Sequence, residues 1–281
     1  MNCFNIKKKN TIKLEFNSKI LLPPSLRKYE IIDELTQQDK FFFILKKKNK
    51  KFFLKETYNY DLFLNEATYI KSLSHINIIK CIDNIIYNNK YYLLTENGNY
   101  DLYKFINLHN KPIENNLIIV ILRQLNSVIK YLHLENSICH RDIKLENIIL
   151  FDNNLIKLID FEYAKTFKTK ITKEKLGTAY YCCPELILNS ECNPYLADMW
   201  AIGVCLYILS QYDYPFDRGT YFGIDSIIIK KPNIINKFRQ NNIIYKREIT
   251  DNLKNIIDNL LNTNIAKRWN ITHLDKYLSN Y

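Results

Sequence analysis

The chain has 281 residues, enough for one large domain or two small lobes with a sizeable core. Its apolar fraction of 47% excludes an intrinsically disordered protein. Lys and Arg number 40 against 29 acids, a net +11 that could draw anionic partners; yet Asn, Ile, Lys and Tyr crowd the whole chain as AT-rich codons would dictate, and no aromatic-basic motif singles out nucleic acid.

Residues 1–26 are polar and basic up to Pro23-Pro24 and read as an N-terminal extension with room for one short strand. Met1 to Lys9 lacks the apolar core of a secretory signal. Phe41–Lys46 and Phe52–Lys55 are β-rich runs around Lys47-Lys48-Asn49-Lys50, a hairpin with a solvated basic tip. Leu62–Leu73 carries apolar residues at helical spacing. Ile78–Tyr87 and Tyr91–Thr95 are two further strands joined by a turn at Asn88-Asn89. Helices follow at about 101–107, 115–134, 195–211, 249–262 and 271–279, so composition changes near Glu96–Asn99. The longest apolar run, Trp200–Leu209, is too short to span a bilayer. The seven cysteines, Cys3, Cys81, Cys139, Cys182, Cys183, Cys192 and Cys205, show no metal-ligand spacing, and their odd number suits a reducing compartment, cytosol or nucleus, in a host cell if the codon bias is viral.

The chemistry concentrates in His140-Arg141-Asp142-Ile143-Lys144-Leu145-Glu146-Asn147, a polar loop between apolar runs. Asp142, Lys144 and Asn147 place a base, a cation and a metal-competent amide within a few positions, a set suited to phosphoryl transfer. Taken alone, the same residues also read as a helix-capping Asp and Asn beside a core His. Further on, Asp160-Phe161-Glu162 follows the apolar run Leu155–Ile159, and Gly177-Thr178-Ala179-Tyr180-Tyr181-Cys182-Cys183-Pro184-Glu185 follows a lysine-rich stretch.

These segments resemble the eukaryotic protein kinase family in its Ser/Thr form, whose catalytic loop reads H-R-D-x-K-x-x-N. Asp160-Phe161-Glu162 is similar to the metal-binding Asp-Phe-Gly, and Cys183-Pro184-Glu185 to Ala-Pro-Glu. Phe52-Phe53-Leu54-Lys55 looks like Val-Ala-Ile-Lys, with Glu66 as the helix partner of Lys55. His75-Ile76-Asn77-Ile78-Ile79 resembles the His-Pro-Asn-Ile-Val that follows that helix.

The resemblance implies an α+β, bilobal protein kinase fold: residues 27–97 a small β-rich lobe with one helix, residues 98–281 a larger helical lobe. It implies ATP and Mg2+ as cofactors and protein Ser/Thr hydroxyls as substrate. Asp142, Lys144 and Thr178 would be catalytic. Lys55, Glu66, Thr95, Glu96 and Asn97 would bind the nucleotide, with Thr95 as gatekeeper. Asn147 and Asp160 would hold the metal. Asp198 matches the helix carboxylate that tethers the catalytic loop, and Arg268 the partner of Glu185. Glu146 stands where some relatives bind substrate arginine, although an exposed loop glutamate reads as well. No DNA motif and no membrane span are expected, and the chain is expected to act as a monomer.

Three departures support a second reading, a pseudokinase scaffold or allosteric partner. The phosphate-covering glycines are missing from Asp33–Lys40, Phe53 replaces the alanine under adenine, and Glu162 replaces glycine after Asp160-Phe161. A small-molecule phosphotransferase is a third, disfavoured by Cys183-Pro184-Glu185 and Arg268. The activation-loop stretch Asp160–Glu185 holds Thr166, Thr169 and Thr172 among lysines. Glu174, three positions before Gly177, falls where many relatives carry a phosphothreonine facing the arginine before the catalytic Asp, here Arg141.

Overall fold

The computed structural model describes residues 22–37, 40–168, 171–172, 174, 176–188, 190–216 and 243–280. Most of the expected N-terminal extension, and Thr169, Lys170, Lys173 and Lys175 of the activation loop, lie outside the described residues. The chain divides into two units. One runs to Ser74 and takes in Ile78–Gly98; the other holds His75–Asn77 and continues from Asn99.

The first unit is built on one antiparallel sheet of β1 (Glu30–Gln37), β2 (Lys40–Lys47), β3 (Lys50–Thr57), β4 (Cys81–Tyr87) and β5 (Lys90–Glu96), in the order β1-β2-β3-β5-β4. The β2–β3 tip is exposed, and Lys48 takes the left-handed conformation there. At the β4–β5 turn Asn88 (φ 50°) and Asn89 (φ 57°) are both left-handed, which a two-residue hairpin demands and asparagine tolerates. β4 starts at Cys81, later than the apolar run Ile78–Ile79 suggests; both isoleucines are buried without joining the ladder.

Alternation along the strands divides the sheet chemically. Phe43, Leu54 and Leu94 lie across one another on one face and join Leu22, Leu26, Leu45 and Tyr92 in a core cluster. The alternate residues Phe53 and Lys55 face the other way. Helix α1 (Tyr60–Ser72) packs Phe63 on Tyr91, ring centroids 5.3 Å apart. It is capped by Asn59, whose Oδ1 accepts from Leu62 N at 3.1 Å. Its buried stripe is Phe63, Glu66, Ala67 and Ile70, so one acid sits on an apolar face and needs a partner.

The second unit is mainly helical. After β6 (Tyr100–Asp101) come α2 (Leu102–His109) and α3 (Asn115–Lys130), the latter continued by a π turn at Tyr131–Glu135. Short strands β7 (Ile138–Cys139), β8 (Ile148–Leu150), β9 (Ile156–Leu158) and β10 (Lys165–Thr166) frame the loops. The hairpin β8–β9 also pairs with β6, and β7 with β10. Then follow α4 (Pro184–Ile187), α5 (Pro194–Gln211), α6 (Asp251–Leu260) and α7 (Ile271–Ser279). α5 is apolar nearly all round and buried, the pattern of a central helix. Gly203 lets α6 approach it: a Cβ there would lie 2.9 Å from Leu260 and Leu261. Asn77 belongs to this unit through its side chain, which donates to Gln124 Oε1 (2.9 Å) and Ile156 O (2.8 Å).

Among the described residues one stretch, Asn115–Glu135, is long and apolar enough to cross a membrane, and half of it is buried inside the unit. Scattered polar residues hide it from a search for continuous apolar runs. Ile118, Ile121, Leu122, Leu125 and Ile129 recur at helical spacing and are fully buried, which is the signature of a core helix.

Candidate active site

The loop after β7 is held from beneath by α5. Asp198 accepts from the backbone N–H groups of His140 (2.8 Å) and Arg141 (2.9 Å) and from His133 Nε2 (2.9 Å). This buried carboxylate fixes the backbone where Arg141 adopts φ 67°. A bulky residue in that region is strained, and the three donors to Asp198 show what holds it. The arginine side chain then turns back, with Nε donating to Tyr163 O.

Asp142 is the focus of the loop. Its carboxylate accepts from Lys144 Nζ (2.6 Å), Thr178 N (3.0 Å), Thr178 Oγ1 (2.9 Å) and Asn147 Nδ2 (3.1 Å). Lys144 also donates to Thr178 Oγ1 at 2.9 Å. Burial pulls the Lys144 ammonium down, but Asp142, with lesser help from Glu146 and Asp160, outweighs it and raises its pKa. The expected catalytic set Asp142, Lys144 and Thr178 is thus one hydrogen-bonded cluster. Gly177 makes it possible: its φ of 108° is strained for any other residue, and a Cβ would stand 2.9 Å from Arg141 O.

The β8–β9 hairpin brings the two expected metal ligands to one end. Ile148 lies opposite Leu158, and Ile159 N donates to Asn147 O at 3.0 Å, so Asp160 follows directly on the residue bonded to Asn147. Asn147 Nδ2 donates to Asp142 O (2.9 Å) and Oδ2, leaving the amide oxygen as the group's acceptor end. Like Arg141, Asp160 lies in the left-handed region, with φ 65°. Burial lowers the pKa of His140, so it is neutral; Nε2–H donates to Ile159 O (3.0 Å) and Nδ1 accepts from Asp142 N (3.3 Å). The His140 ring meets Phe161 edge-on at 4.8 Å, tying the loop to Asp160-Phe161-Glu162. Glu162 is buried.

In the first unit, the acid on α1 finds its partner on β3. Lys55 Nζ lies 2.7 Å from Glu66 Oε2, with both side chains buried. Thr95 is buried opposite Phe53 in the β3–β5 ladder, and its Oγ1 donates to Glu96 O at 3.1 Å. The Glu96 carboxylate accepts from Lys80 N at 2.8 Å, and Asn97 Nδ2 donates to Gly98 O at 2.8 Å. Phe53 stacks on Phe42 with centroids 5.6 Å apart. Asp33–Gln37 is paired strand rather than open loop, and Asp33 Oδ1 accepts from Glu34 N at 3.0 Å.

Three further ion pairs fasten the segment that ends at Glu185. Arg268 donates from Nη1 (3.1 Å) and Nη2 (2.7 Å) to the two Glu185 oxygens, from Nε to Asn262 O (2.9 Å), and lies over the Trp200 ring. Arg141 and Lys165 each donate to one oxygen of Glu174.

Several contributors escape a reading of the sequence. His133 is an ordinary helix residue until packing sets it on Asp198. Glu146 is no exposed loop acid: it is half-buried, burial raises its pKa, and Tyr181 Oη donates to it at 3.1 Å. Nothing in local spacing marks either pairing.

The protein kinase domain family model matches residues 30–277. Over 260 residues, 89% of this chain, the sequence is 31% identical to calcium-dependent protein kinase 3 of Plasmodium yoelii yoelii, covering 44% of that protein. It is 35% identical over 174 residues, 57% of this chain, to calcium-dependent protein kinase 4 of Plasmodium falciparum, covering 31% of that protein. A PAS domain-containing serine/threonine-protein kinase of Mus musculus is 37% identical over 158 residues, 54% of this chain and 11% of the mouse protein. The chain spans less than half the length of these curated relatives.

Proposed function

Since the chain belongs to the protein kinase domain family, we propose that it transfers the terminal phosphoryl group of ATP to Ser or Thr hydroxyls of protein substrates. The observation that carries this reading is the convergence of Lys144 and Thr178 on the Asp142 carboxylate. Asp142 is positioned to orient a hydroxyl nucleophile and take its proton. Lys144, kept charged by its neighbours, offsets charge on the phosphoryl group in transfer. Lys55, braced by Glu66, suits the α- and β-phosphates. Thr95, Glu96 and Asn97 are assigned to the adenine.

The family generally uses Mg2+. An amide oxygen at Asn147 and a carboxylate at Asp160, just beyond the two strands of the hairpin, are the oxygen donors a hard cation prefers. Bound there, the metal would neutralise phosphate charge. Catalysis by such a set is mostly positioning and electrostatics.

The test is transfer of labelled γ-phosphate from MgATP to a basic protein, wild type against Asp142→Asn. The variant is expected to melt with the wild type and to lose several orders of magnitude in rate, typical of removing a catalytic group. An inert wild type, or an equally active variant, overturns the proposal.

A further inference from the structure

Cys183 and Cys192 take no part in the transfer chemistry, although the cavity they line also touches Asp142 and Thr178. Cys183 immediately precedes α4; Cys192 lies two residues before α5. Their sulfurs are 3.6 Å apart, and both side chains are buried. A disulfide needs about 2.05 Å, so bond formation asks for an approach of roughly 1.5 Å. Each cysteine is placed by its own backbone. Cys192 forms an isolated antiparallel bridge with Thr172, N–H to O at 2.8 and 2.9 Å in the two directions. Its Sγ donates to Asn193 O at 3.5 Å, leaving the sulfur lone pairs toward Cys183.

Both cysteines line a cavity of about 30 Å³, together with Arg141, Thr172, Glu174 and Cys182. That space accommodates a water-sized molecule. A metal is a poorer occupant for the pair. The nearby Glu185 could supply a third ligand, but Arg268 already engages both its oxygens.

We propose that Cys183 and Cys192 form a reversible disulfide on exposure to a hydroperoxide. One thiol attacks the peroxide O–O bond, giving a sulfenic acid and releasing water from hydrogen peroxide. The second thiol then displaces the sulfenic hydroxyl as water, so two thiols and one peroxide yield one disulfide and two waters. Burial pushes the Cys183 thiol well up, which keeps it protonated and makes its oxidation slow; the narrow cavity admits a small neutral oxidant rather than a bulky one. The bond would join the end of the activation segment, at Cys183, to the strand bridge that anchors its middle at Thr172. Thr172 Oγ1 in turn accepts from Glu174 N at 3.1 Å, so the staple reaches the residue paired with Arg141.

The experiment exposes the reduced full chain to graded hydrogen peroxide, denatures it, blocks remaining thiols with N-ethylmaleimide and maps the peptides. The wild type should show two blocked thiols fewer and a peptide pair joining Cys183 to Cys192 that dithiothreitol separates. Cys183→Ala restores the alanine of the resembling motif and should fold, yet show no such pair. Cys182→Ala should keep it, which distinguishes the two adjacent cysteines. Free thiols at both positions after peroxide, or a link that disappears in Cys182→Ala, overturns the proposal.

Discussion

Glu174 sits between two cations: Arg141 donates to one carboxylate oxygen and Lys165 to the other, and both cations lie over the ring of Phe167. This is a basic, aromatic-floored seat occupied by the chain's own acid. The hydrogen bonds from Lys165 and Arg141 lower the Glu174 pKa below 4.5. A depressed carboxylate contributes stability above its unfolded pKa and loses it as pH falls through the folded one, so the pairing is intact at neutral pH. Arg141 directly precedes Asp142, so the seat is expected to order the catalytic loop without phosphate. Phosphatase-treated wild type is expected to remain active. Glu174→Ala should lose about fivefold in rate, the equivalent of ~1 kcal/mol for a partly exposed pair, and the difference should shrink in high salt. Silencing by phosphatase, or full activity in Glu174→Ala, would contradict this.

The Arg141–Glu174 contact was legible through the family resemblance, which places an activating phosphate three positions before Gly177, where this chain has Glu174. The same holds for Asp142, Lys144 and Thr178, whose motif fixes them. α3 was legible from its strong helical periodicity, and α5 from its continuous apolar run. What packing alone creates was not. His133 meets Asp198 across 65 positions, and Tyr181 reaches Glu146 across 35. Ile78 and Ile79 read as strand because burial and ladder pairing favour the same residues, yet here both are buried outside the β4 strand, and Ile78 makes only a single bridge. His75–Asn77 looks continuous with its neighbours; its contacts, His75 with Ser127 and Tyr131 and Asn77 with Gln124, Ile156 and Leu158, show where it belongs.

Gly177→Ala tests the geometry that delivers Thr178. The new Cβ would press on Arg141 O at 2.9 Å, a backbone atom fixed indirectly by Asp198, and φ of 108° is strained for alanine. A stability loss of about 1–3 kcal/mol is expected. The rate should fall further than the melt predicts, because Thr178 N and Oγ1 would leave Asp142. A variant that melts and turns over like wild type would show that the close approach relaxes freely.

Glu185 and Arg268 are expected to be structural. The Arg268 side chain is fully buried, and removing its anionic partner leaves an uncompensated guanidinium. Glu185→Gln should cost about 3–5 kcal/mol in thermal or urea unfolding. Arg268→Lys should not rescue, since an ammonium cannot serve Glu185, Asn262 O and the Trp200 face together. Wild-type melting of Glu185→Gln would remove the argument.

Phe53→Ala separates two roles for one ring. Phe53 is half-buried, stacked on Phe42, two positions from Lys55 on the same face of β3. A phenyl ring where relatives carry alanine should crowd a purine, so truncation is expected to tighten ATP binding in a titration of the purified protein. Losing the stack and part of its buried area should cost about 1–3 kcal/mol, below the range for a fully buried phenylalanine because the ring is only half covered. The two readouts move in opposite directions if the ring obstructs. Were the ring instead to stack on adenine, ATP binding would weaken while the stability cost stayed the same, and the steric argument for Phe53 would fall.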